Sequence, residues 1–227
     1  MARTLSNDRL DELVAAATGV FGRKGYRRTQ MAEIAAAAGV SAGNVYNYVE
    51  SKEALFDLVL RRAIDGAGKP LRLPVRTTTS ARIAAWLGKR LDFRDFAVLD
   101  AALRRPKAPD PAVELGEVVI ELYEVLSRMR GAVEVLEHSA PELPDVSRVF
   151  LKVRRELFAR MARYVRSRVR ARQFRPLLDA DATARLVVET TSWAATRRLR
   201  DRDQVSVTDE AARASLREFV VNALVPG

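Results

Sequence analysis

Apolar residues recur every three to four positions along most of the chain, and that spacing predicts helix after helix. In the first segment Leu10, Leu13, Val14, Ala17 and Phe21 share one stripe of a helix over residues 8–24. Asn7 or Asp8 can cap it, and Gly25 supplies its stop. A second helix is predicted over residues 30–38, with Met31, Ile34 and Ala35 inward, and a short third over residues 42–49, capped by Ser41. Ser51 caps a fourth that begins at Lys52, carries Ala54, Leu55, Leu58 and Val59 on its apolar face, and ends where Gly66, Gly68 and Pro70 cluster.

Beyond that linker, helices are predicted over residues 81–91, 95–104, 112–136 (with a break near Gly131), 145–172, 180–199 and 209–224. Pro106, Pro109, Pro111, Pro141, Pro144 and Pro176 all fall between these stretches. An interior proline costs a helix about 3 kcal/mol, so their placement supports the segmentation. The patch 76–80 is β-prone but isolated and reads as loop. The fold class is therefore all-α, with about nine to ten helices.

Residues 26–56 carry the most specific pattern. A helix-turn-helix needs small residues where two helix backbones approach, and Ala35, Ala36, Ala38 and Gly39 supply them. Gly39 can take the left-handed conformation of the turn, and Val40 and Val45 can fill the wedge. The third helix is polar, with only Val45 and Val49 as clear anchors. Such a helix can offer amides and hydroxyls to base edges or phosphates. It can equally be a surface connector.

The run Gly25-Tyr26, Thr29, Ile34-Ala35, Ala38-Gly39-Val40-Ser41, Gly43, Tyr46, Tyr48 and Ser51-Lys52-Glu53-Ala54-Leu55 resembles the DNA-binding domain of TetR-family transcriptional regulators. The resemblance covers the first quarter of the chain. It implies an N-terminal three-helix helix-turn-helix domain over residues 1–55 and a helical ligand-binding and dimerisation domain over residues 56–227. It also implies roles for individual residues. Thr29 contacts a phosphate, and Gln30 joins the DNA-facing set. Ser41 caps the recognition helix, while Ala42, Gly43, Asn44 and Asn47 face base edges. Tyr46 and Tyr48 reach the DNA backbone through their hydroxyls, Tyr46 being partly core as well, and Lys52 contacts a phosphate.

Three positions depart from the family pattern. Gln30 stands where Ser or Thr is usual, which leaves the capping of the second helix to Thr29. Val49 replaces the more usual Phe, and Ala42 stands where a longer polar or basic residue is common. The last puts the operator sequence in doubt.

The resemblance further implies a dimer formed by the helices at about 180–199 and 209–224, reading a pseudo-palindromic duplex and released by a small-molecule effector. Both helices carry apolar stripes: Ala184, Val187, Val188, Thr191, Ala194 and Ala195 in one, Ala212, Leu216, Phe219, Val220, Ala223 and Leu224 in the other. Small residues such as Ser192 permit close helix approach. Candidate pocket residues are the aromatics and methionine Trp86, Phe93, Phe96, Tyr123, Met129, Phe150, Phe158 and Trp193, although such residues at helical spacing more often form plain core. Repression is the expected mode, and a helical protein-interaction scaffold without DNA binding is the alternative.

Composition changes this picture in two places. The formal net charge is +10, yet residues 1–55 hold seven Lys/Arg against six Asp/Glu, whereas residues 150–200 hold fourteen against four. Net charge therefore does not locate the DNA site. On the arginine-rich helix, Val153, Leu157, Met161, Tyr164 and Val165 form a core stripe, while Arg148, Lys152, Arg155, Arg163, Arg166 and Arg170 form another face. That face reads first as solvated, with an anionic effector or second polyanion contact as the sharper reading.

The chain has no cysteine and one histidine, which excludes thiolate chemistry and a multi-histidine metal site. His138 sits at a probable helix end. No Gly-rich phosphate loop or Gly-x-Ser-x-Gly occurs, and Glu114, Glu117, Glu121 and Glu124 are spaced as an exposed helix face. The chain reads as a non-enzyme without cofactor or metal. With no signal-like or membrane-length apolar run, it reads as cytoplasmic.

Overall fold

The computed structural model describes residues 7–66, 70–91, 96–200 and 207–226. Among them are eleven α-helices: α1 (Asn7–Lys24), α2 (Met31–Ala37), α3 (Ala42–Val45), α4 (Lys52–Asp65), α5 (Ser80–Arg90), α6 (Ala97–Arg104), α7 (Pro111–Arg128), α8 (Arg130–Ser139), α9 (Pro144–Arg170), α10 (Ala180–Ser192) and α11 (Asp209–Leu224). The segment predicted over 112–136 with a break near Gly131 is two helices, the chain departing from helical geometry at Met129. Pro111 and Pro144 each open a helix, where a missing N–H costs nothing.

The chain forms two compact units. One comprises the residues up to Leu91 with Met129–Leu151, the other Asp92–Arg128 with Lys152 onward. By packing, α4, α5, α8 and the first turns of α9 group with α1–α3.

In the first unit α1 is the central helix, packed by α2, α4 and α8. Its predicted stripe, Leu10, Leu13, Val14, Ala17 and Phe21, is buried throughout. Phe21, Tyr26 and Phe56 form an aromatic cluster, with Phe56 edge-on to Phe21 at 5.3 Å and to Tyr26 at 5.1 Å. Gly25 ends α1 with φ +77°, and a Cβ there would stand 2.7 Å from the His138 carbonyl oxygen at the end of α8. Only glycine satisfies both constraints. His138 is exposed, with Nδ1 3.1 Å from the Glu134 carbonyl, as suits a helix end.

In the second unit α7 is packed by α6, α10 and α11. Its acidic residues are not a plain solvent face. Glu121 accepts from the backbone N–H groups of Val98 and Leu99 at 2.7 and 2.9 Å, capping the start of α6. Glu114 is buried and accepts from Arg168 Nε at 2.7 Å. Glu124 binds Arg213 of α11 at 2.6 Å.

Arg168 is fully buried and also donates to the carbonyls of Ala102 (2.7 Å) and Arg105 (3.2 Å), closing the other end of α6. Its guanidinium lies 5.0 Å from the Tyr164 ring centroid. Burial pushes the Tyr164 phenol above its ordinary pKa, and the nearby Glu114 carboxylate adds to this.

The predicted helix over 180–199 stops as α-helix at Ser192, widens into a π turn over Trp193–Arg197 and closes in a 3₁₀ turn over Arg198–Arg200. Side chains compete here for the helical carbonyls. Thr191 and Thr196 hydroxyls donate to the carbonyls of Val187 and Ser192, both at 2.7 Å, and Arg198 Nε donates to Ala194 O at 3.0 Å. The buried Arg198 guanidinium also bonds the Val207 carbonyl and Asp209, tying this turn to the start of α11.

Candidate nucleic-acid interface

The helix-turn-helix is built by α2, the turn 38–41 and α3. Gln30 is the N-cap of α2, and its N–H donates to Glu33 Oε2 at 3.1 Å. Lys24 and this N–H hold the Glu33 carboxyl below its usual pKa. Gly39 turns the chain at φ +64°. Ser41 Oγ then caps α3 by accepting from Asn44 N–H at 3.3 Å, and Ser51 Oγ caps α4 by accepting from Ala54 N–H at 3.1 Å.

As α-helix, α3 covers only Ala42–Val45 rather than the predicted 42–49. The chain tightens after it: Asn47 and Tyr48 N–H groups reach back three residues to Asn44 and Val45. Val49 then leaves the helical path to bridge Val75, with Val75 N–H bonding Tyr48 O at 2.8 Å and Glu50 N–H bonding Val75 O at 2.9 Å. The loop reading of 76–80 holds up to the start of α5 at Ser80, but the preceding Val75 is what closes the recognition segment.

The structure sorts the predicted DNA-facing residues into two groups. Gln30, Ser41, Ala42, Gly43, Tyr46 and Asn47 are exposed together, and Asn44 is partly exposed with its amide oxygen accepting from Asn47 Nδ2 at 3.0 Å. A Cβ at Gly43 would meet nothing within 4 Å, so this face is open.

Thr29, Tyr48 and Lys52 face inward. The Thr29 hydroxyl is buried and donates to Gly25 O at 2.6 Å, so it neither caps α2 nor presents itself to a phosphate. Tyr48 is buried at 6% exposure whereas Tyr46 is 50% exposed, which reverses the predicted division between them. Lys52 Nζ donates to the carbonyls of Tyr26 and Thr29, both at 3.1 Å, and stands 4.6 Å from the Tyr26 ring centroid. It staples the loop before α2 to the start of α4. Next to it the Tyr26 hydroxyl donates to Glu53 at 2.6 Å. That bond holds the Glu53 carboxyl low, while burial and the same carboxylate push the Tyr26 phenol up.

Arg27 and Arg28 are exposed just before α2 and were not singled out from sequence. The available signal was their position: two adjacent cations between the Gly25 stop and the Gln30 cap.

The pocket candidates are distributed over both units. Trp86, Met129 and Phe150 belong to the first unit, where Trp86 lies 4.5 Å from the Arg61 guanidinium and Phe150 packs against the core. Phe96, Tyr123, Phe158 and Trp193 belong to the second. Phe96 is the N-cap of α6, and Tyr123 hydroxyl donates to Asp209 at 3.2 Å. The Arg154 and Arg185 guanidinium groups lie 5.5 and 5.0 Å from the Phe158 ring centroid, and Trp193 is 46% exposed. Phe93 lies outside the described residues.

An exposed, uncharged short helix behind a glycine turn, seated on a helical core, is the architecture of a helix-turn-helix. Residues 13–59 match the family described as bacterial regulatory proteins, tetR family. The transcriptional repressor KstR2 of Mycolicibacterium smegmatis is 26% identical over 191 residues, spanning 83% of this chain and 78% of that protein. The transcriptional activator FasR of the same organism is 40% identical over 76 residues, 34% of this chain and 35% of that one.

Among solved structures, the ketosteroid transcriptional regulator KstR2 of Mycobacterium tuberculosis shares the fold with a TM-score of 0.62 at 21% identity over 100% of both chains. A transcriptional regulator from Saccharomonospora viridis in complex with choline aligns with a TM-score of 0.51 at 17% identity over 98% of this chain and 100% of that one. The N-terminal segment of the chain is thus similar to the DNA-binding domain of TetR-family regulators, and the whole chain shares its helical fold with solved regulators. No helix among the described residues is long and apolar enough to cross a membrane.

Proposed function

We propose that two copies of this chain bind a pseudo-palindromic operator and repress transcription in the cytoplasm until a small-molecule effector releases them. The observation that carries the DNA reading is the shared exposure of Gln30, Ser41, Ala42, Gly43, Tyr46 and Asn47 on and around α3. Small residues at the start of α3 let the backbone approach base edges, and Asn47 and Tyr46 supply the hydrogen bonds. Arg27 and Arg28, rather than Lys52, supply charge to the phosphates.

Repression is supported by KstR2, the repressor that matches over most of the chain; the activator FasR matches over about a third. A helical neighbour holding choline supports a small-molecule effector.

The dimer reading rests on exposed apolar groups. Leu186 at the middle of α10 and Trp193 just after its end are 67% and 46% exposed, and Phe219 of α11 is 64% exposed. The predicted small and β-branched stripe is spent inside the subunit: Ala184, Val187, Val188, Thr191, Ser192, Ala194 and Ala195 are all buried. The pairing surface is therefore the opposite face of α10, with Ala211, Ala214, Ser215 and Phe219 exposed on α11.

The test is binding to the DNA beside the chain's own coding sequence, read by fluorescence anisotropy across a salt series, with sedimentation for the oligomeric state. Asn47→Ala is expected to change sequence preference. Arg27→Gln with Arg28→Gln is expected to weaken binding to every duplex and reduce the salt slope by about two. A monomer that ignores duplexes at low salt overturns the reading.

A further inference from the structure

Within the second unit, α6 and α9 enclose a cleft of about 570 Å³ whose walls are dominated by arginine. Arg104 enters from α6, and Arg160, Arg163, Arg166 and Arg170 enter from α9 at helical spacing; Asp100 is the one carboxylate in the lining. Elsewhere in this unit several arginines are paired with carboxylates: Arg168 with Glu114, Arg213 with Glu124, and Arg154, Arg185 and Arg197 with Glu189. In the cleft the matching stops. Arg160 is fixed by Asp100 at 2.6 Å and Glu156 at 3.1 Å, and Arg166 pairs with Asp181. Arg104, Arg163 and Arg170 have no carboxylate partner among the described residues, so the site keeps a net positive charge after every pair is counted.

We propose that this cleft binds a small multivalent anion carrying phosphate groups. Guanidinium groups recognise phosphate oxygens through paired N–H donors, and several of them converging on one concavity suit an anion with at least two charges. The volume lies within the range of small-molecule sites, while the arginine lining selects against an apolar ligand. Arg160 is held in place by its two carboxylates beside the unmatched cations. The concavity between two helices favours a compact ligand over a duplex backbone. This site is separate from the α3 surface and does not depend on DNA binding.

The test uses isothermal titration of the full chain with inorganic tripolyphosphate and with monophosphate at fixed ionic strength. Tripolyphosphate is expected to bind with unit stoichiometry per chain and more tightly than monophosphate. Arg163→Gln with Arg170→Gln is expected to weaken it at least tenfold, with an unchanged circular dichroism melt, whereas Arg27→Gln with Arg28→Gln leaves it unchanged. If the α9 variant fails to fold, Arg104→Gln on α6 takes its place and is expected to weaken binding severalfold. Equal affinity in parent and cleft variants overturns the proposal. So does a cleft variant that loses affinity for a scrambled duplex while its tripolyphosphate binding matches the parent, because the arginines then serve DNA. Failure of operator binding with tripolyphosphate binding intact would sink the DNA reading alone.

Discussion

The two units solve the problem of a filled interior by different chemistry. In the first, the large, fully buried side chains are Phe21, Phe56, Leu10, Ile34, Leu55, Leu60, Ile83 and Leu87, and the buried polar residues among those described are Thr29 and Ser139. In the second, two of the largest fully buried side chains are Arg168 and Arg198, and Glu114 is buried beside the first. An apolar interior tolerates loss of one group by partial collapse, at the cost of a cavity. An ionic interior is less forgiving, because removing one partner strands the other charge away from water. The first unit is thus held by shape and area, the second also by paired charges at chosen points.

The sharpest way to break this comparison is Arg168→Met. It leaves Glu114 without its cation and the Ala102 and Arg105 carbonyls without a donor, and is expected to destabilise the second unit by about 3–5 kcal/mol. Adding Glu114→Leu should recover much of the loss, since apolar replacement of a whole buried pair is often neutral or better. The measurement is urea unfolding followed separately through Trp86 in the first unit and Trp193 in the second, each in a variant with the other tryptophan changed to Phe. An Arg168→Met protein as stable as its parent would remove the ionic account.

A smaller effect is expected from Tyr26→Phe, which keeps the aromatic cluster and deletes only the hydroxyl that bonds Glu53. The loss should be about 1.5–3 kcal/mol, seen through Trp86, because the partner is a charged group. Smaller still is the control pair. Thr79 caps α5 in the first unit and Thr208 caps α11 in the second, each through its hydroxyl. Thr79→Ala and Thr208→Ala should each cost about 1 kcal/mol, since capping is local and independent of what fills the core. Unequal costs would show that the units differ in more than their interiors.

The last prediction is one of direction. The Glu53 carboxyl is held low first by the Tyr26 hydroxyl, against an opposing burial effect. A depressed acid contributes stability above its unfolded pKa of about 4.3 and loses it as pH falls through the folded value. The Trp86-reported stability should therefore drop on acidification below about pH 4, and drop less in Tyr26→Phe. Identical acid limbs in the two proteins would remove Glu53 from the account.

The apolar half of this architecture was legible from spacing alone. The stripe on α1 and the wedge residue Val45 are buried as the 3.6-residue period requires. Polar positions were harder, because their roles depend on partners remote in sequence. Lys52 matches a family pattern yet is used by the carbonyls of Tyr26 and Thr29. Tyr46 and Tyr48 are two apart on a segment predicted as helix, but the tightened turn and the pairing with Val75 decide which ring is covered. Glu114 and Glu121 look like solvent-facing acids until Arg168 and the start of α6 are brought against them.

Arg168 itself was foreseeable in part, since it continues the α9 stripe of Met161, Tyr164 and Val165 at helical spacing. Phe219 misled in the opposite sense. It was grouped with the buried positions of α11, which are Ala212, Leu216, Val220 and Leu224 at strict fourfold spacing.

Residues 97–104 are too few to stay wound unaided in water. A carboxylate on α7 holds the amide end, and a guanidinium on α9 holds the carbonyl end. One wall of the arginine cleft is consequently a splinted rod whose two fastenings sit on different neighbours. Any drift between those neighbours must tilt the rod or unfasten it. The width of the cleft is thus tied to their spacing.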